Sequence, residues 1–183
     1  MIAGCDEVGR GCLAGPVTAA AVILDEDLKI DIKLTDSKKM SAKEREAAKE
    51  YIIENCIDYG IASVESHEID VMNISNASII AMHRALEKLK ERPSLILVDG
   101  AIFIPYRNIP YECIIKGDMK EASISAASVL AKVERDRIMT ELHESYAHYG
   151  WNTNVGYPTK KHYSAIREHG ITKHHRKTFN LFK

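Results

Sequence analysis

The chain of 183 residues has no apolar run long enough for the membrane. A spanning helix needs roughly 20 consecutive apolar residues. The start also lacks a basic stretch ahead of its apolar residues, so it does not read as a secretory leader. Cysteine is sparse: Cys5, Cys12, Cys56 and Cys113 are the four, and none belongs to a Cys-x-x-Cys pair. That spacing argues against zinc and fits thiols kept as small apolar side chains in a reducing cytoplasm. Eight histidines are present, but none falls in a His-Glu-x-x-His register. His162, His169, His174 and His175 are therefore assigned solvated, phosphate-facing or structural roles. There is no internal repeat, low-complexity tract or evident linker, and the net charge is only −1.

The distribution of charge says more than its sum. Residues 156–183 hold seven Lys or Arg against one acid, Glu168, so the rest of the chain is net acidic. This asymmetry predicts a basic terminal surface suited to a polyanion.

The pattern of elements is α/β. Residues 2–5 and Val17–Leu24 read as buried strands joined by a short link containing Gly15-Pro16, as in a hairpin. Leu34–Met40 reads as a polar loop. Ser41 and Glu44 form a capping box ahead of a helix reaching about Asn55. A third strand covers Tyr59–Val64. A short helix begins at Ser66, and a longer one begins at Asn73 or Ser75 and ends before Pro93. Leu95–Val98 and Glu112–Ile115 are two further strands. A long helix spans 121–148, and Thr159 caps a last helix that stops at Gly170. The order predicts a mixed sheet flanked by helices. A break near 150 predicts a core over 1–150 and a small basic helical extension over 151–183, packed on the core.

Chemistry concentrates where strands end. Asp6-Glu7 follows the apolar start and is followed at once by Gly9-Arg10-Gly11. Asp99-Gly100 closes one later strand, and Gly117-Asp118 follows another. Aspartate is depleted within strands, so each of these positions calls for a reason. For Asp99 or Asp118 alone, a turn is reason enough. Four acids converging in a crevice would repel unless cations neutralised them. Carboxylate oxygens suit Mg²⁺ or Mn²⁺. Two such ions about 4 Å apart suit in-line attack on a phosphodiester, one activating water and the other stabilising the leaving oxygen. Successive strand residues face opposite ways, so Asp6 and Glu7 share a cavity only if the chain bends there or if they reach separate metals. Ser123-Ile-Ser-Ala-Ala-Ser128 has small residues at helical spacing and reads as a close-packing stripe, not as a nucleophile motif.

These blocks together resemble ribonuclease HII, the type 2 ribonuclease H family. The resemblance covers nearly the whole chain. Asp6-Glu-Val-Gly-Arg-Gly11-x-Leu-Ala-Gly-Pro16-Val is similar to the family's opening. Thr35-Asp-Ser-Lys-Lys39, Asp99-Gly100 and Lys116-Gly-Asp118 follow in the family's order. So do Ser125-Ala-Ala-Ser128-Val-Leu-Ala-Lys132-Val-x-Arg135-Asp136, Gly156-Tyr-Pro-Thr159 and His175-Arg-Lys-Thr-Phe179.

The resemblance implies a ribonuclease H-like mixed five-stranded sheet. It implies an endoribonuclease, a hydrolase that cuts the RNA strand of RNA–DNA hybrids and incises duplex DNA at single embedded ribonucleotides. The products would carry 3′-hydroxyl and 5′-phosphate ends, and the role would be ribonucleotide removal from DNA. It implies Asp6, Glu7, Asp99 and Asp118 as catalytic ligands of two Mn²⁺ or Mg²⁺ ions. It also implies substrate contacts from Gly9, Arg10, Gly11, Lys38 and Tyr157, with the Tyr157 ring against the deoxyribose on the 3′ side of the junction. The 2′-hydroxyl separates RNA from DNA at a given sugar, which is what such contacts would sense. Cys12 departs from the family, where proline is common. The chain ends soon after Phe179, so no partner-clamp peptide is expected, and a monomer with no membrane association is. Two alternatives stay open: another nuclease of the same fold, such as a junction resolvase, and a nucleic-acid-binding module without catalysis.

Overall fold

The computed structural model describes residues 1–25 and 40–182. The loop at Thr35–Lys39, and with it Lys38, lies outside the described residues.

Five strands form one mixed sheet: β1 (Ile2–Val8), β2 (Val17–Ile23), β3 (Asp58–Val64), β4 (Leu95–Asp99) and β5 (Tyr111–Ile114), in the spatial order β3-β2-β1-β4-β5. The first three pair antiparallel, and β4 and β5 add parallel strands on the other side of β1. Among the described residues there are six α-helices: α1 (Ala42–Asn55), α2 (Ser66–Met72), α3 (Ile74–Glu87), α4 (Ala122–Ser145), α5 (Trp151–Asn154) and α6 (Lys160–His169).

The predicted caps are present. The Ser41 hydroxyl accepts from the Glu44 amide while the Glu44 carboxylate accepts from the Ser41 amide. Asn73 caps α3 and Thr159 caps α6 through their side-chain oxygens. Strand β1 runs three residues beyond its expected end. Its ladder with β2 continues through Asp6↔Ala20, Glu7↔Ala19 and Val8↔Thr18, so both acids lie inside the strand. Pairing with a fully buried neighbour outweighs the low strand preference of the carboxylates. The long helix is shorter than expected: it ends at Ser145, and a 3-10 turn over Ala147–Tyr149 precedes the unanticipated α5.

The two faces of β2 show why the sheet is a sandwich filling. Val17, Ala19, Ala21 and Ile23 join the cluster beneath α3, while Ala20 and Val22 join the cluster beneath α1 and α4. This is the two-residue period of a strand buried on both sides. Small side chains let the helices come close. A Cβ on Gly4 would lie 2.3 Å from the backbone of Ser123 and Ile124, so α4 starts in direct contact with β1. A third apolar cluster ties Tyr149, Trp151, Ala165, Ile166 and Leu181 to Leu13, Ala14 and Met139. The carboxy-terminal helices are thereby fixed beside the loop that follows β1. All four cysteines are free thiols. No helix among the described residues is long and apolar enough to cross a membrane.

Candidate active site

At the carboxyl ends of β1 and β4 lies a cavity of about 570 Å³. Parallel register pairs Cys5 with Val98, so one step further places Asp6 beside Asp99 at the ends of neighbouring strands. Asp6 shares the α4-facing side of β1 with Gly4, and Glu7 shares the α3-facing side with Cys5. Both nonetheless line the same cavity with Asp99, because it wraps around the strand end. The wall continues through Val8, Gly9, Arg10, Gly11, Arg45, Ser128, Lys132 and Tyr157.

The electrostatics of the acids are those of a crowded anionic site. Burial pushes the Asp6 carboxyl well above its usual range, and the charges of Glu7 and Asp99 add to this; a hydrogen bond with Ser128 and the Glu7 amide oppose it. Burial also raises Glu7, with Arg10 pulling it back down and Asp99 pushing it up. The Glu7 amide donates to Asp6 Oδ1 at 2.7 Å. Glu7 Oε2 is buried with no hydrogen-bond partner. Asp99 Oδ1 accepts from the Gly117 amide at 2.8 Å. An orphaned carboxylate oxygen among mutually repelling acids is a donor set that fits a hard divalent cation.

The fourth acid is placed differently. Asp118 is buried in a 3-10 turn over Gly117–Met119, next to the residue that holds Asp99, but it is not on the cavity wall. As the side chains stand, no three His, Cys, Asp or Glu among the described residues are gathered closely enough to hold a metal ion. The structure thus brings together Asp6, Glu7 and Asp99 with Gly9, Arg10, Gly11 and Tyr157 on one cavity wall, and Asp118 is not among the residues lining it.

Behind the Gly9–Pro16 loop stand two buried arginines. Arg176 donates to the carbonyls of Arg10 (2.8 Å), Gly9 (2.7 Å), Gly15 and Pro16, and its guanidinium carbon lies 5.2 Å from the centre of the Phe179 ring. Arg135 donates to Pro16 (2.8 Å), Ala14 (3.1 Å) and Val155 (2.8 Å). With Arg176 buried, the Arg contributes nothing to a basic terminal surface, contrary to the charge count; its donors pair the carbonyls of Gly9, Arg10 and Gly15 and share that of Pro16 with Arg135. Burial lowers Arg176 to about 10, so it stays charged at neutral pH. Gly9 has φ +95°, and a Cβ there would lie 2.1 Å from Arg135 Nε. The glycine is required both by its conformation and by the cation packed on it.

With these carbonyls drawn inward, the loop shows its other side to the cavity. The amides of Arg10, Gly11 and Cys12 donate to no main-chain carbonyl among the described residues. The Arg10 side chain reaches Ser78 Oγ at 3.0 Å and lies 3.4 Å from Glu7 Oε1. Cys12 is buried and bonded to the Tyr157 hydroxyl. Ser128, besides packing, bonds to Asp6. Sequence reasoning missed the cavity positions of Arg45 and Lys132 and the buried roles of Arg135 and Arg176. Ser128, Lys132 and Arg135 recur at helical spacing on α4, a signal masked by the charges around them.

A sequence model of the family Ribonuclease HII matches residues 3–182. The chain belongs to this family. It is 56% identical over 180 residues to the ribonuclease HII of Christiangramia forsetii, covering 98% of this chain and 90% of that protein. It is 53% identical over 179 residues to that of Phocaeicola vulgatus, covering 98% and 89%. The crystal structure of ribonuclease H2 from Pyrococcus horikoshii superposes with a TM-score of 0.84 at 28% identity, covering 98% of this chain and 94% of that one. The ribonuclease HII fold expected from the sequence is thus the fold observed. As a member of the ribonuclease HII family the chain is a hydrolase, a metal-dependent endonuclease of the ribonuclease H class, whose members act on RNA–DNA hybrids.

Proposed function

We propose that the cavity hydrolyses the phosphodiester at ribonucleotides within duplexes, in long RNA–DNA hybrids and at single ribonucleotides embedded in DNA. The observation that carries this reading is the shared wall. Three carboxylates, the Gly9-Arg10-Gly11 loop and Tyr157 all face one cavity at the ends of two parallel strands. A site for a divalent ion beside outward amides and a cation is what a phosphodiester needs.

Asp6, Glu7 and Asp99 would hold two Mn²⁺ or Mg²⁺ ions, with Asp118 completing the set. When bound, these ions supply Lewis acidity for in-line hydrolysis to 3′-hydroxyl and 5′-phosphate ends. The chain's own groups orient the substrate. The amides of Arg10 and Gly11 offer hydrogen bonds to a phosphate oxygen or a 2′-hydroxyl at close range. The Arg10 side chain is about half exposed and supplies a positive charge at the cavity mouth. Tyr157 is 39% exposed, and its ring offers an apolar plate that accepts a deoxyribose and crowds an added hydroxyl. Lys38 is proposed as a further phosphate contact. The enzyme would work as a cytoplasmic monomer in removing ribonucleotides from DNA.

The test is a cleavage assay on a duplex with one embedded ribonucleotide, run with Mn²⁺, with Mg²⁺ and with chelator. Incision beside the ribonucleotide that depends on the ion is expected. Equal cutting of an all-DNA duplex would point instead to a DNA nuclease of the same fold. Salt-dependent binding without cleavage under either ion would point to a binding module.

A further inference from the structure

Three successive carbonyls hold the segment that carries Tyr157. Val155 O accepts from Arg135 Nη1 at 2.8 Å, Gly156 O from the Leu13 amide at 2.8 Å, and Tyr157 O from both the Thr159 amide at 2.8 Å and His162 Nδ1 at 3.0 Å. The backbone here is in an uncommon conformation, with φ +42° at Val155 and +86° at Gly156. A Cβ on Gly156 would lie 2.5 Å from Ala14 O, so the segment is pressed against the Gly9–Pro16 loop.

The proton on His162 is placed by its neighbours. His175 Nδ1 accepts from the Thr172 amide at 2.9 Å, which leaves the His175 proton on Nε2. That Nε2–H points at His162 Nε2, 3.2 Å away. The same His162 nitrogen accepts from Trp151 Nε1–H at 3.1 Å. An imidazole nitrogen facing two donors is the unprotonated one, so the His162 proton sits on Nδ1, facing the Tyr157 carbonyl. Both rings are buried, and burial favours the neutral form of each. The result is a relay from the Thr172 amide through His175 and His162 to Tyr157, with every polar atom of the two rings engaged.

We propose that His162 is a positioning residue for substrate discrimination, its Nδ1–H supplying, beside the Thr159 amide, the second bond to the Tyr157 carbonyl and so setting the angle at which the Tyr157 ring meets a sugar in the cavity. The inference rests on Tyr157 as the residue that senses the ribonucleotide junction. The hydrogen bond acts on the main chain, while the side chain lines the cavity. A shift of the carbonyl is carried to the ring, because the two preceding carbonyls, of Val155 and Gly156, are pinned by Arg135 and Leu13.

Two variants separate the two nitrogens. H162N retains a donor where Nδ1 stood and loses the Nε2 acceptor. H162Q retains an acceptor where Nε2 stood and loses the donor to Tyr157. The readout is the ratio of kcat/KM on a single-ribonucleotide duplex to that on a continuous RNA–DNA hybrid, with thermal midpoints measured alongside. H162Q is expected to lower this ratio about tenfold and H162N to hold it within about threefold. In a Tyr157→Ala background H162Q is expected to change the ratio no further. Equal losses in H162N and H162Q, or a further loss on top of Tyr157→Ala, would overturn the proposal. Nitrogen NMR of the wild-type histidines supplies a measurement that needs no variant: a His162 proton on Nε2 would equally overturn it. Wild-type protein that does not cut the single-ribonucleotide duplex would sink the junction reading itself, a failure visible before any variant is made.

Discussion

The amide of Gly117 donates to Oδ1 of Asp99 at 2.8 Å, tying the end of β4 to the turn that follows β5. Asparagine at position 99 retains this acceptor and loses only the charge. Asp99→Asn is therefore expected to fold normally and to lose cleavage by roughly a thousandfold, equivalent to about 4 kcal/mol in the barrier. In the absence of divalent ions it should also melt a few degrees higher, because Asp99 repels both Asp6 and Glu7. Calorimetry in chelator checks the second point. A lower midpoint than wild type would show that Asp99 is held mainly by hydrogen bonding and not strained by its neighbours.

Divalent ions are expected to act in the opposite sense on the wild type. An ion binding only the folded chain stabilises it by about 2.7 kcal/mol at a hundred times its Kd. Titrating Mn²⁺ should raise the thermal midpoint progressively, and Asp6→Asn should remove most of that rise. Binding read by melting is independent of turnover, so an unchanged rise in Asp6→Asn would count against Asp6 as a ligand.

Arg176→Lys tests the clamp under the Gly9–Pro16 loop. A lysine keeps the charge but cannot reach the carbonyls of Gly9, Arg10, Gly15 and Pro16 together. Leaving buried carbonyls unpaired is expected to cost about 2–4 kcal/mol in urea unfolding. Substrate affinity should fall as well, since the outward amides of Arg10 and Gly11 depend on the carbonyls staying inward. A variant as stable as wild type would show that water or relaxation replaces the fork.

The histidine pair gives a pH signature. Burial and the neighbouring histidines lower His175 to about 4 in the folded chain, against 6.5 ordinarily. The unfolded chain then binds the extra proton between those values. Stability from this ring is complete above pH 6.5 and is lost as pH falls towards 4, with a slope of at most about 1.4 kcal/mol per pH unit. The raised carboxyls of Asp6 and Glu7 have the opposite sign, since they bind protons more readily when folded. The histidine contribution is accordingly read as wild type minus His175→Asn in urea titrations across this range. A difference that stays flat from pH 7 to 4 would mean the ring protonates as easily folded as unfolded.

Local sequence determined a great deal of this protein. Ser41 with Glu44, Asn73 and Thr159 fixed helix starts because a cap is satisfied within four residues. The buried run Val17–Ile23 set an interior strand, and three of the four acids singled out, Asp6, Glu7 and Asp99, line one cavity. These features depend on neighbours along the chain. The tertiary structure alone decided how far β1 extends, since its ladder partner Thr18 lies across the hairpin. It alone turned Arg135 and Arg176 from apparent surface charges into the internal supports of the Gly9–Pro16 loop. It also left Asp118 off the cavity wall, in the turn whose Gly117 amide holds Asp99, and chose which nitrogen of His162 carries the proton. Each of these depends on partners outside the local turn of chain, from Thr18 for Val8 to Gly9 for Arg176. Burial and hydrogen-bond satisfaction are properties of the assembled chain, and no local pattern carries them.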